Sequence, residues 1–110
     1  MRALIVSDIH SNLEALRAVL GDAKRRGGFD TVWCLGDVVG YGPDPGPCIE
    51  LLRQQDVVCV AGNHDYAAIG KISVEEFNTY AAQAARWTQT QLSRDQADFL
   101  GGLEEVDRLG

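Results

Sequence analysis

The stretch Val57-Val58-Cys59-Val60-Ala61-Gly62-Asn63-His64-Asp65 decides how the rest of the chain reads. Its first five residues are apolar and mostly β-branched, so 57–61 reads as a buried strand. Gly62 then allows a tight turn, and an amide, an imidazole and a carboxylate leave the strand end together. A turn with only a structural task needs the glycine and at most Asn63, so His64 is surplus to it. The chain holds only two histidines. The other, His10, also follows an apolar run, in Ser7-Asp8-Ile9-His10. A third run, 31–35, ends in Gly36-Asp37. Three strands in succession therefore end in groups able to bind a cation.

Working outward, 2–7 reads as the first strand and 8–11 as a loop. Ser11 with Glu14 matches a capping box. Leu13, Leu16, Ala18, Val19, Leu20 and Ala23 then give a helical stripe from about 12 to 26, closed by Gly27-Gly28. The loop 40–47 (G-Y-G-P-D-P-G-P) holds all three prolines, and Pro47 suits the first turn of a short helix over 48–54. This is strand–helix–strand–helix–strand. Apolar runs without alternation suit a parallel sheet covered on both faces, with right-handed crossovers. In such sheets ligands bind beyond the carboxyl ends of the strands, and that edge collects Asp8, His10, Asp37, Asn63 and His64. Downstream, Ser73 with Glu76 reads as a capping box opening a long helix over 74–92, with Phe77, Tyr80, Ala81, Ala84 and Trp87 on one side. Ser93 with Gln96 opens another, carrying Ala97, Leu100 and Leu103. The pattern is lost over 104–110, and no strand is expected after the helices. The chain 1–110 reads as one domain.

Composition narrows the partners. The chain has 110 residues, is 45% hydrophobic and 24% charged, and carries a formal net charge of −6. That is a globular composition. The acidic balance argues against non-specific nucleic-acid binding, which needs clustered Lys and Arg. Lys24-Arg25-Arg26 reads as a solvated helix end, favourable against the helix dipole. No secretory signal pattern opens the chain and no apolar run approaches a membrane span. A cytoplasmic location without membrane attachment is therefore expected. Three cysteines, none in a C-x-x-C pair, fit a reducing compartment and read as packing.

Two carboxylates, two imidazoles and an amide form a hard to borderline donor set. Mn²⁺ suits it first, with Fe²⁺, Zn²⁺, Co²⁺, Mg²⁺ or Ni²⁺ also admissible. In extended backbone, residues i and i+2 point the same way, so Asp8 and His10 are expected to share one metal. Asp37 has the two oxygens needed to bridge to a second ion about 3.5–4 Å away, with Asn63 on that second ion. Such a pair activates water and clamps a phosphoryl group. Each residue has a plainer role by itself. Asp8 would cap the following helix, Asp37 would be a turn residue, Asn63 would fill a left-handed turn position, and a lone histidine would be a hydrogen-bonded structural residue. None of these explains why all five meet at one sheet edge.

Asp8-Ile9-His10, Gly36-Asp37 and Gly62-Asn63-His64-Asp65 resemble, in order, the D-x-H, G-D-x and G-N-H-[DE] motifs of the calcineurin-like metallophosphoesterase superfamily. The wider stretches 7–12 and 36–43 are similar to its small bacterial and archaeal branch. The resemblance spans essentially the whole chain. It implies an α/β fold, the N-terminal βαβαβ half of a two-sheet αββα sandwich, with parallel strands followed by helices. It implies two divalent ions, with Asp8 and His10 on the first, Asp37 bridging and Asn63 on the second. His64 would protonate the leaving alkoxide or steady the phosphoryl oxygens, and Asp65 would hold the turn. The substrate would be a phosphate ester.

Two departures from the family pattern matter. Protein serine/threonine phosphatases of the superfamily carry G-D-x-x-D-R-G, and here Gly40 and Tyr41 stand at the second aspartate and the arginine. The resemblance therefore implies a phosphodiesterase or a small-molecule phosphatase. Tyr41 and Asp44 are candidates to shape the substrate mouth. The family also draws histidines from later strands, and none follows His64 here. An incomplete domain is expected, with weakened metal binding and apolar faces left open to oligomerisation. The competing reading is a non-catalytic relic or interaction module that retains a partial metal site. A nucleotide-binding module lacks its glycine-rich run, and a serine hydrolase lacks its nucleophile elbow.

Overall fold

A computed structural model of the chain describes residues 2–105. Strands β1 (Ala3–Val6), β2 (Thr31–Cys34) and β3 (Val57–Ala61) pair in parallel in the order in which they occur. Ile5 stands opposite Trp33, Trp33 opposite Val58, and Cys34 opposite both Val6 and Cys59. Helices α1 (Leu13–Arg25) and α2 (Pro45–Arg53) make the two crossovers. The carboxyl ends of all three strands therefore meet at one edge.

Local chemistry sets the helix ends, and in several places it differs from the sequence expectation. Helix α1 is capped by Asn12, whose side chain accepts the Ala15 N–H at 3.0 Å. Ser11, expected in that role, is instead wholly buried. Helix α2 begins earlier than expected, with Asp44 at its N-cap and Pro45, not Pro47, at its first position. Proline suits that position because its missing N–H would have no partner there. The expected turn after β3 is a short helix, α3 (Asn63–Ala68). The expected long helix is α4 (Thr79–Gln91), which starts five residues late. Asn78 caps it through the Ala81 N–H at 2.8 Å, while Ser73 only closes a local turn with the Glu75 N–H. Helix α5 (Arg94–Gly101) has the expected reciprocal cap between Ser93 and Gln96.

A two-residue strand, β4 (Glu104–Glu105), then pairs in parallel with β3. It corrects the expectation that no strand follows the helices. The signal was absent because two exposed glutamates carry no apolar pattern. Their pairing comes from backbone, helped by Tyr66 Oη donating to the Leu103 carbonyl at 2.7 Å. The rest of the expected featureless tail, 106–110, lies outside the described residues.

One buried cluster joins Leu16 and Leu20 of α1, Val32 and Cys34 of β2, Ile49 and Leu52 of α2, and Leu100 of α5. Each such side chain contributes about 1.5–3 kcal/mol by leaving water. The opposite sheet face is different. Ile5, Trp33 and Val58 form an in-register row that is 59%, 40% and 53% exposed. Cover on both faces, suggested by the unbroken apolar runs, is not seen: among the described residues the helices cover one face, and the open apolar face also expected above is present. The stripe expected on α4 is also corrected. Its buried side is Ala81, Ala82, Ala85 and Thr88, whereas Tyr80 and Trp87 point outward. No helix among the described residues is long and apolar enough to cross a membrane.

Candidate metal centre

Past the strand ends the loops stay tied together. Asp8 N–H donates to the Gly36 carbonyl at 3.1 Å, His10 N–H to that of Asp37 at 2.9 Å, and Ser11 N–H to that of Val38 at 2.9 Å. This lacing holds Asp8, His10, Ser11, Asp37 and Tyr41 at φ of 54°, 49°, 60°, 55° and 60°. Non-glycine residues in that region cost on the order of 1–3 kcal/mol each and persist where the surroundings over-determine them. All five lie at one edge of one sheet.

Ligand atoms of Asp8, His10 and Asp37 all fall within 4.8 Å of one another. His10 Nε2 lies 3.4 Å from Asp8 Oδ1. His10 Nδ1 lies 3.2 Å from the Val39 carbonyl. That carbonyl can only accept, so the contact suits a proton on Nδ1, and Nε2, on the side of the Asp8 and Asp37 carboxylates, is the ring atom available to a metal. This is the usual arrangement of a metal-ligating imidazole. The three donors therefore fit a divalent cation. The route to this geometry corrects the sequence reasoning: Asp8 and His10 converge through a left-handed turn, not through the pleat of an extended strand.

Asp37 is also built into the frame. Its Oδ1 accepts the His64 N–H at 3.1 Å. A Cβ on Gly62 would collide with Asp37 Oδ1 and come within 2.7 Å of its backbone N, so only glycine lets β3 and the β2 loop approach this closely. Asp65, fully buried, accepts three backbone N–H groups: Asp37 at 2.8 Å and Gly62 at 3.0 Å on Oδ2, and Val39 at 3.1 Å on Oδ1. Burial pushes its carboxyl up to about 6, against the pull of those donors and with some help from the Asp37 charge. The expected turn-holding role of Asp65 is what the structure displays, extended to the β2 loop.

Asn63 opens α3 in helical backbone, not in a left-handed turn, and its exposed side chain lines a hollow with Glu75, Glu76 and Phe77. His64 packs among rings, with centroids 5.0 Å from His10, 4.9 Å from Tyr41 and 5.0 Å from Phe77. Its Nδ1 is buried without a partner. Gly40 lies directly behind it, where a Cβ would come within 2.7 Å of Nδ1. Burial lowers the His64 pKa below its ordinary value, partly opposed by the charge of Asp37. Sequence reasoning left out Tyr80, the Val39 carbonyl and the buried Ser11 hydroxyl. A carbonyl has no sequence signal, and Tyr80 looked like a core-facing position of a longer helix.

The family model for calcineurin-like phosphoesterases matches residues 1–105. The chain belongs to the calcineurin-like phosphoesterase family. It is 50% identical over 99 residues to an uncharacterised protein of Methanocaldococcus jannaschii, covering 90% of this chain and 40% of that one. A metallophosphoesterase from Sphaerobacter thermophilus superposes with a TM-score of 0.76 at 50% identity, over 94% of this chain and 41% of the other. The symmetrical bis(5'-nucleosyl)-tetraphosphatase of Pectobacterium atrosepticum is 36% identical over 67 residues, 59% of this chain and 24% of that enzyme. The chain thus spans about two-fifths, or less, of the length of these calcineurin-like relatives. The family acts on phosphate esters with divalent metals, and the Asp8, His10 and Asp37 cluster is where such an ion fits.

Proposed function

We propose that this chain carries the metal-binding face of a divalent-metal phosphoesterase, acting on a phosphodiester or a small phosphate monoester. The observation that carries the reading is the Asp8, His10 and Asp37 cluster on strained backbone, with His10 Nε2 turned toward it and Nδ1 against the Val39 carbonyl. Asp8 and His10 would hold one ion, Asp37 would reach two, and Asn63 would contribute its amide oxygen to the second. What divalent ions supply there is neutralisation of phosphoryl charge and activation of water. Manganese suits these donors. His64 stands beside the cluster with Nδ1 shielded, so it acts through Nε2. Burial keeps the ring neutral near pH 7, which favours donation of Nε2–H to a phosphoryl oxygen. Gly40 and Tyr41 supply neither the carboxylate nor the guanidinium of the protein phosphatases, so a phosphoprotein is the less suited substrate. A cytoplasmic location is part of the same proposal, supported by three free thiols.

The test pairs calorimetric titration with Mn²⁺ and hydrolysis of bis(p-nitrophenyl) phosphate, in the wild type and in Asp37→Asn. Binding and turnover that both collapse in the variant support the reading. Binding without turnover by the wild type would favour a non-catalytic module that keeps a metal site. Unchanged turnover in Asp37→Asn would overturn the metal mechanism.

A further inference from the structure

His64 lacks the hydrogen bond that ordinarily orients an imidazole. A working histidine is commonly fixed by a carboxylate or a carbonyl on its second ring nitrogen. Among the described residues, the buried Nδ1 of His64 has no such partner. The Gly40 side leaves no room for one. A Cβ at Gly40 would lie 2.7 Å from Nδ1 and 2.9 Å from both Cβ and Cγ of His64, so the backbone of this loop lies against the imidazole. The torsion that turns a histidine ring is a broad well. With no hydrogen bond at Nδ1, packing is left to set the plane of the ring.

Two aromatic residues from separate parts of the chain supply that packing. Tyr41, in the β2–α2 loop, has its ring centroid 4.9 Å from that of His64, and Phe77, in the segment ahead of α4, lies at 5.0 Å. Both rings are tilted 43° to the imidazole, and both distances are contact distances for aromatic pairs. Tyr41 is itself held in place. Its backbone sits at φ of 60°, and Tyr80, in the first turn of α4, stacks on it at 18° with centroids 5.7 Å apart. Helix α4 carries none of the Asp8, His10 and Asp37 cluster. It still reaches His64 twice, through Phe77 just before its N-cap and through Tyr80 behind Tyr41.

We propose that Tyr41 and Phe77 are positioning residues for His64. Their rings fix the plane in which Nε2 meets the phosphoryl group, in place of a hydrogen-bonded orienting partner, and Tyr80 backs Tyr41. The proposal rests on the phosphoesterase reading above, which gives His64 its task. The role needs the aromatic ring of Tyr41 and not its hydroxyl. A misplacement of about 1 Å can cost a reaction about a hundredfold, so loss of either ring is expected to lower kcat on the order of tenfold to a hundredfold.

The experiment has two arms. The first is proton NMR of the metal-free chain, reading nuclear Overhauser contacts between the His64 ring and the rings of Tyr41 and Phe77, with the amide spectrum as the check of folding. The second is hydrolysis of bis(p-nitrophenyl) phosphate by the Mn²⁺-loaded chain, with kcat and KM measured separately. The wild type is expected to show both ring contacts. In Tyr41→Ala the His64–Phe77 contact is expected to fade as the imidazole loosens, with kcat falling and KM holding within about twofold. Tyr41→Phe is expected to restore both readouts. Phe77→Ala removes the support from the other element and is expected to weaken the His64–Tyr41 contact with the same loss in kcat, so the proposal stays open to test if one alanine variant does not fold. A His64–Phe77 contact at wild-type strength in Tyr41→Ala would overturn the proposal. So would a loosened ring with kcat unchanged, or a loss confined to KM, and each of these would leave the phosphoesterase reading standing. A wild type without Mn²⁺-dependent turnover would remove that reading, and the positioning role with it, whatever the NMR contacts show.

Discussion

His64 shows how burial sets the chemistry of a single residue. Its ring is enclosed by His10, Tyr41 and Phe77, and Nδ1 has no partner. Protonation would place a charge on an atom cut off from water, so the folded pKa lies below the ordinary 6.5. The unfolded chain then binds the proton more readily than the folded one. The stability His64 contributes is therefore present above pH 6.5 and is lost as pH falls through that value toward the folded pKa. In the metal-free chain, the His64 ring resonances in an NMR titration are expected to move with a midpoint below 6.5. His64→Phe should remove the corresponding part of the pH dependence of urea unfolding. A midpoint at or above 6.5 would mean that the attraction of the Asp37 and Asp8 carboxylates outweighs burial, and would argue for a proton-donating role instead.

Between elements, Asp65 is the connector. One carboxylate in the first turn of α3 satisfies N–H groups at the end of β3 and along the loop after β2. Asp65→Ala would leave three donors without a protein partner at a site closed to water. Each unsatisfied buried group costs about 1–3 kcal/mol, so a loss of about 3 kcal/mol or more is expected in urea denaturation. The loop that carries Asp37 should loosen with it, and Mn²⁺ affinity should fall on the order of tenfold or more. The family resemblance of Gly62-Asn63-His64-Asp65 implied Asp65 as a turn holder, and its bond to the Gly62 N–H fits that role. Its grip on Val39 was not legible, since that contact spans two strands. The caps behave alike. Ser93 with Gln96 could be read directly, whereas Ser11 lost its place to Asn12 because backbone bonds from the β1 loop to the β2 loop draw Ser11 inward.

At the scale of the molecule, the described residues give the sheet one covered face and one open face. The row Ile5, Trp33 and Val58 offers apolar surface to water on the side away from α1 and α2. We infer that the isolated chain self-associates through this face at high concentration, since burying such a row is favourable by about 25 cal/mol per Å². Sedimentation equilibrium should show mass rising with concentration for the wild type and less so for Trp33→Lys. Because Trp33 is 40% exposed and otherwise packed, that substitution is expected to lower unfolding stability by about 1–3 kcal/mol, so its fold is checked by urea unfolding alongside. A monomer at all concentrations would show that the open face is not sticky enough to pair.

The order of strands and crossovers, the family and the set of candidate ligands followed from the sequence alone. Each of those rests on local signals: an apolar run, a glycine after it, a polar group after that. Parallel pairing then left no other place for the strand ends to go. Only the tertiary structure decided how the side chains meet. Asp8 and His10 converge through left-handed backbone that lacing between loops enforces. His10 stands with Nδ1 against the Val39 carbonyl and Nε2 against Asp8. Tyr41 and Tyr80 stack, although 38 positions separate them in the chain. Contacts of that kind depend on distances between elements, and spacing along a chain does not encode such distances until the elements have packed.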